Sequence, residues 1–424
     1  MSNQKQSVFK NPFYLQSSLS LLMFFAAWGI WWSFFQIWLT TRLGFSGAQV
    51  GTIYTFNSAI TLVLMFFYGS IQDHLGLKRR LLIGITILEM LLGPFFTWVY
   101  SPLLHSNFML GALLGSLYLS FAFLAASPTF EALAERMGRR FGFEYGKARA
   151  WGSFGYAIAA LCAGYLFTIS PYIIFWLSSG FSFITCLILI SGTRTKVSTE
   201  AQFENRAEEA KEAKTPTFKE ILAVFKLPEL WKLTIFIIFS GSFYTVFDQQ
   251  MFPEFFTHFF ATQATGDTAY GILNSAEVFL EAIMMAMVPW LMKKIGVRKT
   301  LLIGVSVMFI RIGLCGLVTN PLGISFVKLL HAPETAIFAL AMFRYLTLHF
   351  DTRLSATVYM VVGQIAGQVG QIIFSTPLGM LHDRIGYQAT FLVISAIVFG
   401  AACYAFLMLK KDDQEVNGQP LNMD

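Results

Sequence analysis

Two stretches of the chain, LGLKRRLLIGI (75–85) and IGVRKTLLIGV (295–305), align with each other without a gap. Both have a glycine at their second position and the run Leu-Leu-Ile-Gly near their end. Lys78 of the first stretch aligns with Arg298 of the second, and Arg79 aligns with Lys299. Such a match between distant stretches indicates an internal repeat. The position of each stretch predicts that it joins the second and third helix of its half, in two parallel repeats.

The composition places the chain in a bilayer. Of its 424 residues 55% are hydrophobic and only 13% are charged, and the mean hydropathy is +0.60, which excludes an ordinary water-soluble domain. Apolar runs of about 20 residues, the length that crosses a hydrocarbon core, recur without the alternation of barrel strands. We predict an all-α polytopic membrane protein with twelve transmembrane helices in two six-helix repeats, at 18–40, 48–72, 81–100, 107–133, 150–169, 172–191, 230–257, 268–292, 300–319, 322–346, 354–381 and 387–409.

Lysines and arginines concentrate in alternate loops, for example at Lys78–Arg80 and Lys293–Lys299. By the positive-inside rule these loops and both termini face the cytoplasm, so the net charge of +6 gives no reason to expect nucleic acid. The first apolar run is too long for a signal sequence and lacks a convincing cleavage site, so we expect it to be retained. The prediction is a multi-pass protein of a bacterial inner membrane.

One long polar stretch, TRTKVSTEAQFENRAEEAKEAKTPTFKE (193–220), interrupts the apolar pattern. It has too few apolar residues to build a core and is predicted to be a cytoplasmic linker. The predicted organisation is therefore an N-terminal six-helix bundle at 1–191, a linker at 192–220, and a C-terminal six-helix bundle with a short tail at 221–424. All four cysteines lie in apolar runs, and we expect no metal site, cofactor or catalytic triad.

A polar stripe crosses the stretch FVKLLHAPETAIF (326–338). Lys328, His331 and Glu334 recur at steps of three and so share one helical face. Ionisable groups at membrane depth are costly and are usually paired or functional, so this face should meet a polar cavity or partners on other helices. Lys328 with Asp248 is also compatible with a structural ion pair, and His331 with a packed interior histidine.

Other ionisable residues in apolar runs are candidate partners of this stripe. In the C-terminal half the group contains carboxylates and an arginine, which suits reversible protonation; in the N-terminal half a carboxylate, a guanidinium and an aromatic ring suit a sugar. The candidates are Asp248, Glu277, Glu281, Arg311, Glu131, Arg149 and Tyr156.

Four further stretches carry a resemblance to a known family. They are FEYGKARAWGSFGYAI (143–158), FDQQMFPEFF (247–256), VKLLHAPE (327–334) and RLSATVYMV (353–361). Together they make the chain similar, over essentially all twelve segments, to the oligosaccharide:proton symporters of the major facilitator superfamily, which include lactose, raffinose, melibiose and sucrose permeases. The stretch GSIQDHLGLKRR (69–80) resembles the loop signature of that superfamily.

The resemblance implies a role for each matching residue. Glu131 and Arg149 match the sugar-binding pair, Tyr156 the aromatic residue that stacks on the sugar, and Gln368 a polar position on the sugar side. Tyr244, with His331, matches groups that couple the sugar and proton sites. Glu334 matches the proton-carrying carboxylate, Arg311 its nearby cation, and Lys328 with Asp248 an interhelical charge pair.

The chain also departs from the lactose-type pattern. The lactose-type transporter has a second Asp–Lys pair between segments 7 and 11, and this chain has Thr245 and Gly367 at those positions. Both charges are absent together, so no buried charge is left without its partner. A gapless alignment puts Val278 at the lactose-type glutamate of segment 8. We favour Glu281, one turn later, as the sugar ligand and keep Glu277 as the second choice.

The resemblance implies symport of a disaccharide with a proton by alternating access, without catalysis. We favour a galactoside such as melibiose or lactose, because Glu131 resembles the galactoside transporters at that position. Sucrose is the alternative, because Tyr156, the missing charge pair and the opening helix WWSFFQIWL (31–39) resemble sucrose permease. An uncoupled facilitator or sensor and a membrane-embedded enzyme with His331 and Glu334 as acid and base are the alternatives. The expected partners are the sugar and the lipid bilayer, with the protein working as a monomer.

Overall fold

The computed structural model describes residues 8–191, 225–350 and 358–413, which are helical and include no β-strand. The predicted linker at 192–220 lies outside the described residues. Numbered along the chain, the helices are α1 (Pro12–Arg42), α2 (Gly47–Leu75), α3 (Arg80–Ser106), α4 (Phe108–Phe141), α5 (Tyr145–Ile169), α6 (Pro171–Ser191), α7 (Pro228–Thr257), α8 (Gln263–Ile295), α9 (Val297–Cys315), α10 (Pro321–His349), and α11 with α12 (Met360–Met408).

Ten helical stretches among the described residues are long and apolar enough to cross a membrane. Met360–Met408 counts once among these ten but breaks at Gly386, where φ is +79°, and so supplies both α11 (360–385) and α12 (387–408). The shorter α9 is less apolar because it carries Arg298, Lys299 and Arg311. With these two adjustments the described helices number twelve, as the hydropathy pattern predicts.

Asparagine residues cap several of these helices. Asn11 precedes Pro12 and its side-chain oxygen accepts from two amides of the first turn of α1. Asn107 accepts from the amide of Leu110 at 3.1 Å in α4, and Asn320 does the same for α10. Each contact satisfies a backbone donor that has no partner inside the helix, which is why the helices begin at these residues.

The start of α2 is capped from a distant part of the sequence. Asp383, near the end of α11, accepts hydrogen bonds from the amides of Gly47 at 2.7 Å and Ala48 at 2.8 Å. A carboxylate at a helix N-terminus also interacts favourably with the helix dipole. The turn between α11 and α12 and the first residues of α2 therefore form one packed structure.

The chain divides into two compact units. Unit 1 comprises the described residues of Met1–Phe45, Phe56–Lys196 and Phe260–Val278, and unit 2 comprises those of Ser46–Thr55, Val197–Phe259 and Phe279–Asp424. The units follow the two halves of the chain except at two short segments. The beginning of α2 belongs to unit 2, and the beginning of α8 belongs to unit 1.

Glycines allow these two short segments to pack closely within their units. A Cβ atom on Gly271 of α8 would lie 2.8 Å from the Cα of Gly164 in α5. In unit 2, a Cβ atom on Gly51 of α2 would clash with the backbone carbonyl of Ser375 in α11. Small residues are the usual means by which membrane helices bring their backbones together.

Aromatic side chains fill the interior of unit 1. Among the fully buried side chains are Trp31, Trp38 and Phe96. The ring centres of Phe96 and Phe175 are 4.1 Å apart. Large apolar side chains elsewhere on the helices are instead exposed, among them Trp98, Trp290 and Leu407. In water so much exposed apolar surface would favour aggregation. On helices of this length it is the surface that a bilayer covers.

Candidate functional site

Arg311 lies at the centre of a charged cluster inside unit 2. Its side chain, on α9, is fully buried, and its Nη2 donates to Oδ1 of Asp248 on α7 at 2.7 Å. Its Nη1 lies 3.4 Å from Oε2 of Glu334 on α10. One buried guanidinium therefore faces two carboxylates, which provide the pairing that a charge at membrane depth requires.

Tyr244 and His331 join this cluster. Nη1 of Arg311 donates to the Tyr244 hydroxyl at 2.8 Å and lies 3.3 Å from Nδ1 of His331. The Tyr244 hydroxyl and Nδ1 of His331 are hydrogen-bonded, and the same nitrogen is 3.4 Å from Oδ1 of Asp248. On its other side, Nε2 of His331 contacts the Thr335 hydroxyl at 3.2 Å. Both ring nitrogens are engaged, so the imidazole is held in one orientation.

A widened helical turn presents the α7 residues to this cluster. Val246–Met251, which contains Asp248, has π-helical hydrogen bonding, and so does Ile238–Ser242 one turn earlier. Such turns shift side chains out of the α-helical register and are frequent at functional sites. Tyr244 and Asp248 consequently both reach the guanidinium of Arg311.

Glu334 has different surroundings from Asp248. Its side chain is fully buried, with Oε2 facing Arg311, while Oε1 has no hydrogen-bond partner among the described residues. A buried carboxylate oxygen without a partner is costly, whereas a neutral carboxyl group tolerates burial better. The arrangement thus offers a cation for the charged form of Glu334 and an apolar setting for the neutral form.

Lys328 lies beside the cluster on α10. Its side chain is 2% exposed, and Nζ is 5.5 Å from the centre of the Phe252 ring. Its pairing with Asp248 stays a prediction. The carboxylate of Asp248 itself contacts the guanidinium of Arg311 and the imidazole of His331.

A second ion pair lies in unit 1. Nε of Arg149 on α5 donates to Oε1 of Glu131 on α4 at 2.6 Å, and Nη1 donates to the Ser153 hydroxyl at 3.2 Å. The guanidinium also lies over the ring of Phe25 on α1, 4.0 Å from its centre. The side chains of Arg149 and Glu131 are 31% and 32% exposed, so a ligand can reach both.

Tyr156, two turns after Arg149, packs against α1. A Cβ atom on Gly29 would lie 2.7 Å from Cδ2 of Tyr156, which shows that the ring lies directly on the α1 backbone. The hydroxyl of Ser33 is hydrogen-bonded to the Tyr156 hydroxyl at 3.2 Å. Nδ2 of Asn274, on α8, donates to the same serine oxygen at 3.2 Å.

The remaining predicted sugar ligands lie on α8 and α11. Glu277 is buried in the part of α8 that belongs to unit 1, whereas Glu281, one turn later, is half-buried in the part that belongs to unit 2. Gln368 of α11 is half-buried, and its Oε1 has no hydrogen-bond partner among the described residues. Both glutamates remain candidates.

Neutral contacts occupy the region where the second charge pair is absent. The Thr245 hydroxyl donates to the carbonyl of Gly241 at 2.8 Å, within α7. The Ser242 hydroxyl donates to the carbonyl of Gly367 at 3.3 Å, which joins α7 to α11. No charge is stranded between these two helices at those positions.

The sequence alone did not single out four polar residues of unit 1. Ser33, Ser153 and Asn274 contact predicted site residues, and Glu89 of α3 is fully buried beside Ser182 of α6. A lone glutamate in an apolar run is itself a signal of a special position. Neutral serines and asparagines give no such signal because they are ordinary constituents of membrane helices.

The helices of the described residues have the major facilitator fold. A solved nucleoside transporter, NupG, is similar with a TM-score of 0.77 over 94% of this chain and 99% of that one, at 15% identity. A D-xylose-proton symporter has a TM-score of 0.68 over 98% and 100% of the two chains, at 13% identity. At such identities the likeness shows the fold alone, and it confirms the predicted fold class.

Sequence similarity then shows the family. The chain belongs to the LacY proton/sugar symporters, whose model matches residues 6–420. A sucrose permease of Escherichia coli is 41% identical over 410 residues, which cover 96% of each chain. A melibiose permease of Enterobacter cloacae is 36% identical over 390 residues, covering 92% of this chain and 90% of the relative. The protein is therefore a multi-pass sugar:proton symporter rather than an enzyme.

Proposed function

We propose that the protein carries a disaccharide together with a proton by alternating access, binding the sugar through the ion pair of unit 1 and the proton through Glu334. The observation that carries this proposal is the setting of Glu334, whose buried carboxyl group has Arg311 at 3.4 Å on one oxygen and no hydrogen-bond partner among the described residues on the other. A group that alternates between charged and neutral forms needs both surroundings.

In this proposal the cluster of unit 2 handles the proton. Protonated Glu334 is neutral, and when it releases its proton the carboxylate pairs with Arg311. Asp248 keeps the guanidinium neutralised while Glu334 is protonated, and Lys328 contributes to the same balance. His331 and Tyr244, which are bonded to each other and to Arg311, link a change at Glu334 to the rest of the cluster.

The ion pair of unit 1 binds the sugar in the same proposal. The carboxylate of Glu131 accepts from sugar hydroxyls, and the planar guanidinium of Arg149 donates to sugar oxygens in two directions. Tyr156 supplies a ring on which an apolar sugar face can stack. Glu281 is our first choice for the ligand on α8, with Glu277 second, and Gln368 is a further polar contact.

We place sucrose first among the substrates and a galactoside second. The 41% identity to a sucrose permease, the tyrosine at position 156 and the neutral pair Thr245 and Gly367 support sucrose. Glu131 supports melibiose or lactose, because the reach of the carboxylate bears on which hydroxyl it recognises. The sequence-based preference for a galactoside depended on that one residue, against three observations for sucrose.

A sugar panel in membrane vesicles tests the proposal. Sucrose, raffinose, melibiose and lactose are added in turn to de-energised vesicles in a weakly buffered medium, with a pH electrode outside. We expect the transported sugar to alkalinise the medium as protons enter with it and to be recovered unmodified. Uptake of sugar without alkalinisation would show an uncoupled facilitator and contradict the proposal.

We further propose a bacterial inner-membrane location, cytoplasmic termini and function as a monomer. The matched basic loops after the second helix of each half support this orientation, because such loops stay on the cytoplasmic side. Single cysteines placed in the linker at 192–220 and beside Ser46 test it. A membrane-impermeant thiol reagent added to whole cells should label only the second.

A further inference from the structure

We propose that Asn274 and Ser33 are positioning residues that fix the side chain of Tyr156 for sugar binding. This inference rests on the proposed contact between Tyr156 and the sugar. The three residues lie in unit 1, on α8, α1 and α5. Two hydrogen bonds of 3.2 Å connect them, from Asn274 to Ser33 and from Ser33 to Tyr156. These hydrogen bonds reach the hydroxyl of Tyr156, and through that side chain they act on a ligand that stacks on its ring.

Ser33 is the middle of this chain, and its hydrogen-bonding capacity is fully used. Its oxygen lies 2.8 Å from the carbonyl of Gly29, which can only accept, and 3.2 Å from the Tyr156 hydroxyl. A serine hydroxyl has one hydrogen and two lone pairs. Its hydrogen is shared between the Gly29 carbonyl and the Tyr156 hydroxyl, and its oxygen accepts from Nδ2 of Asn274, which accounts for all three contacts.

The position of Asn274 follows from a close helix crossing. Gly271, one turn earlier on α8, packs tightly against Gly164 of α5. A Cβ atom added to Gly271 would lie 2.8 Å from the Cα of Gly164. This approach brings the next turn of α8 to α1 and α5, where Asn274 is 7% exposed and Ser33 is 5% exposed. A buried amide that loses its acceptor is costly, so the link to Ser33 is persistent.

Tyr156 is thereby fixed at two points. The ring is held against the backbone at Gly29, and the hydroxyl is held by Ser33. A side chain with both its ring and its tip fixed has little rotational freedom left to lose when a ligand stacks on it. Preorganisation of this kind improves affinity by lowering the entropy cost of binding.

A double-mutant cycle tests the inference. The variants are Asn274→Ala and Ser33→Ala, each in the wild-type protein and in Tyr156→Phe. Equilibrium binding of radiolabelled sucrose and melibiose to purified protein gives Kd, and exchange at saturating sugar in vesicles gives the transport rate. We expect each single variant to weaken binding about fivefold, the effect of one hydrogen bond, with the saturated exchange rate unchanged. Asn274→Ala should add less than about twofold in the Tyr156→Phe protein.

Two further variants separate positioning from stability. Ser33→Thr keeps the hydroxyl and should restore near-wild-type affinity. Ser178→Ala removes a buried serine that donates to the α1 carbonyl of Ala27 at 2.7 Å and should leave the affinity unchanged. If Asn274→Ala fails to fold, the comparison of Ser33→Ala with Ser33→Thr still decides the question.

Three results would overturn the inference. The first is a wild-type Kd in both single alanine variants, and the second is an equally large effect of Asn274→Ala in the Tyr156→Phe protein. The third is wild-type sugar binding by Tyr156→Phe, because this variant keeps the ring and loses only the hydroxyl that Ser33 holds. Absence of proton coupling in the wild-type protein defeats the proposed function instead, and the binding cycle can be measured regardless.

Discussion

Arg149 and Arg311 each pair with a carboxylate on another helix at almost the same distance, 2.6 Å and 2.7 Å, but their surroundings differ. The side chain of Arg149 is 31% exposed, whereas that of Arg311 is 0% exposed and has four polar side chains around it. An accessible ion pair contributes little to stability and can give its hydrogen bonds to a ligand. A buried one cannot lose a partner without leaving a charge uncompensated.

The strongest test of this comparison is the same substitution at both arginines. Arg311→Gln leaves Asp248 and Glu334 without their buried cation, so we expect the free energy of unfolding to fall by about 3–5 kcal/mol. Arg149→Gln should lower the free energy of unfolding by less than about 1 kcal/mol, because Glu131 remains hydrated. Denaturant unfolding of the purified proteins measures both.

A compensating variant controls for packing effects at Arg311. Asp248→Asn introduced together with Arg311→Gln removes a stranded charge and should recover part of the lost stability. Equal destabilisation by the two arginine variants would contradict the assignment of one pair to a closed cluster and the other to an accessible site.

The second test concerns sugar binding by the accessible pair. Glu131→Gln loses the charge, and Arg149→Lys loses the two-pronged geometry of the guanidinium, so each should weaken binding by about 100-fold or more. Equilibrium binding with the sugar identified in the panel measures this. Glu135→Gln is the matched control, since Glu135 pairs at 2.6 Å with Arg139 on the same helix. Normal binding in both test variants would assign the sugar site to other residues.

The third test separates transport from coupling at Glu334. Glu334→Gln mimics the protonated side chain, so the loaded carrier should exchange sugar at a rate within about twofold of the wild type. Because no proton is released, concentrative uptake should vanish; a potential of 100 mV otherwise supports a gradient of about fiftyfold for one charge. Both rates are measured in the same vesicles, and accumulation like that of the wild type would exclude Glu334 as the carrier.

The smallest expected effect on transport belongs to Lys328, at the edge of the unit 2 cluster. Lys328→Met removes one cation near Asp248, but Arg311 and His331 remain beside that carboxylate. We expect a stability loss of about 1–3 kcal/mol with exchange and accumulation largely retained. Loss of accumulation at unchanged stability would instead place Lys328 in the proton pathway.

Hydropathy and spacing were sufficient to predict the helices and one face of the buried cluster. The three-residue spacing of the polar stripe puts His331 and Glu334 on one side of α10, and in the structure both lie next to Arg311. The same methods could not give the close contact between Asp248 and Arg311. The π-helical turn at Val246–Met251 changes the direction of the α7 side chains, and a constant period of 3.6 residues does not include that change.

The network around Tyr156 was not predictable from spacing at all. Ser33 and Asn274 are far apart in the sequence and uncharged, and their contact depends on how closely α8 and α5 pass at Gly271. Glu89 is a different case, because an isolated acidic residue in an apolar run is visible in the sequence. The residues around Glu89 in the sequence, however, do not indicate which residue of α6 it lies beside.

The cap on α2 by Asp383 has a consequence for following the transporter at work. The amides of Gly47 and Ala48 donate to a side chain that lies far away in the sequence, so their protection from solvent depends on tertiary structure and not on α2 alone. Deuterium exchange at these two amides therefore reports how often the turn between α11 and α12 leaves the start of α2. Mass spectrometry of the peptide that contains them provides a label-free record of that opening, with and without sugar.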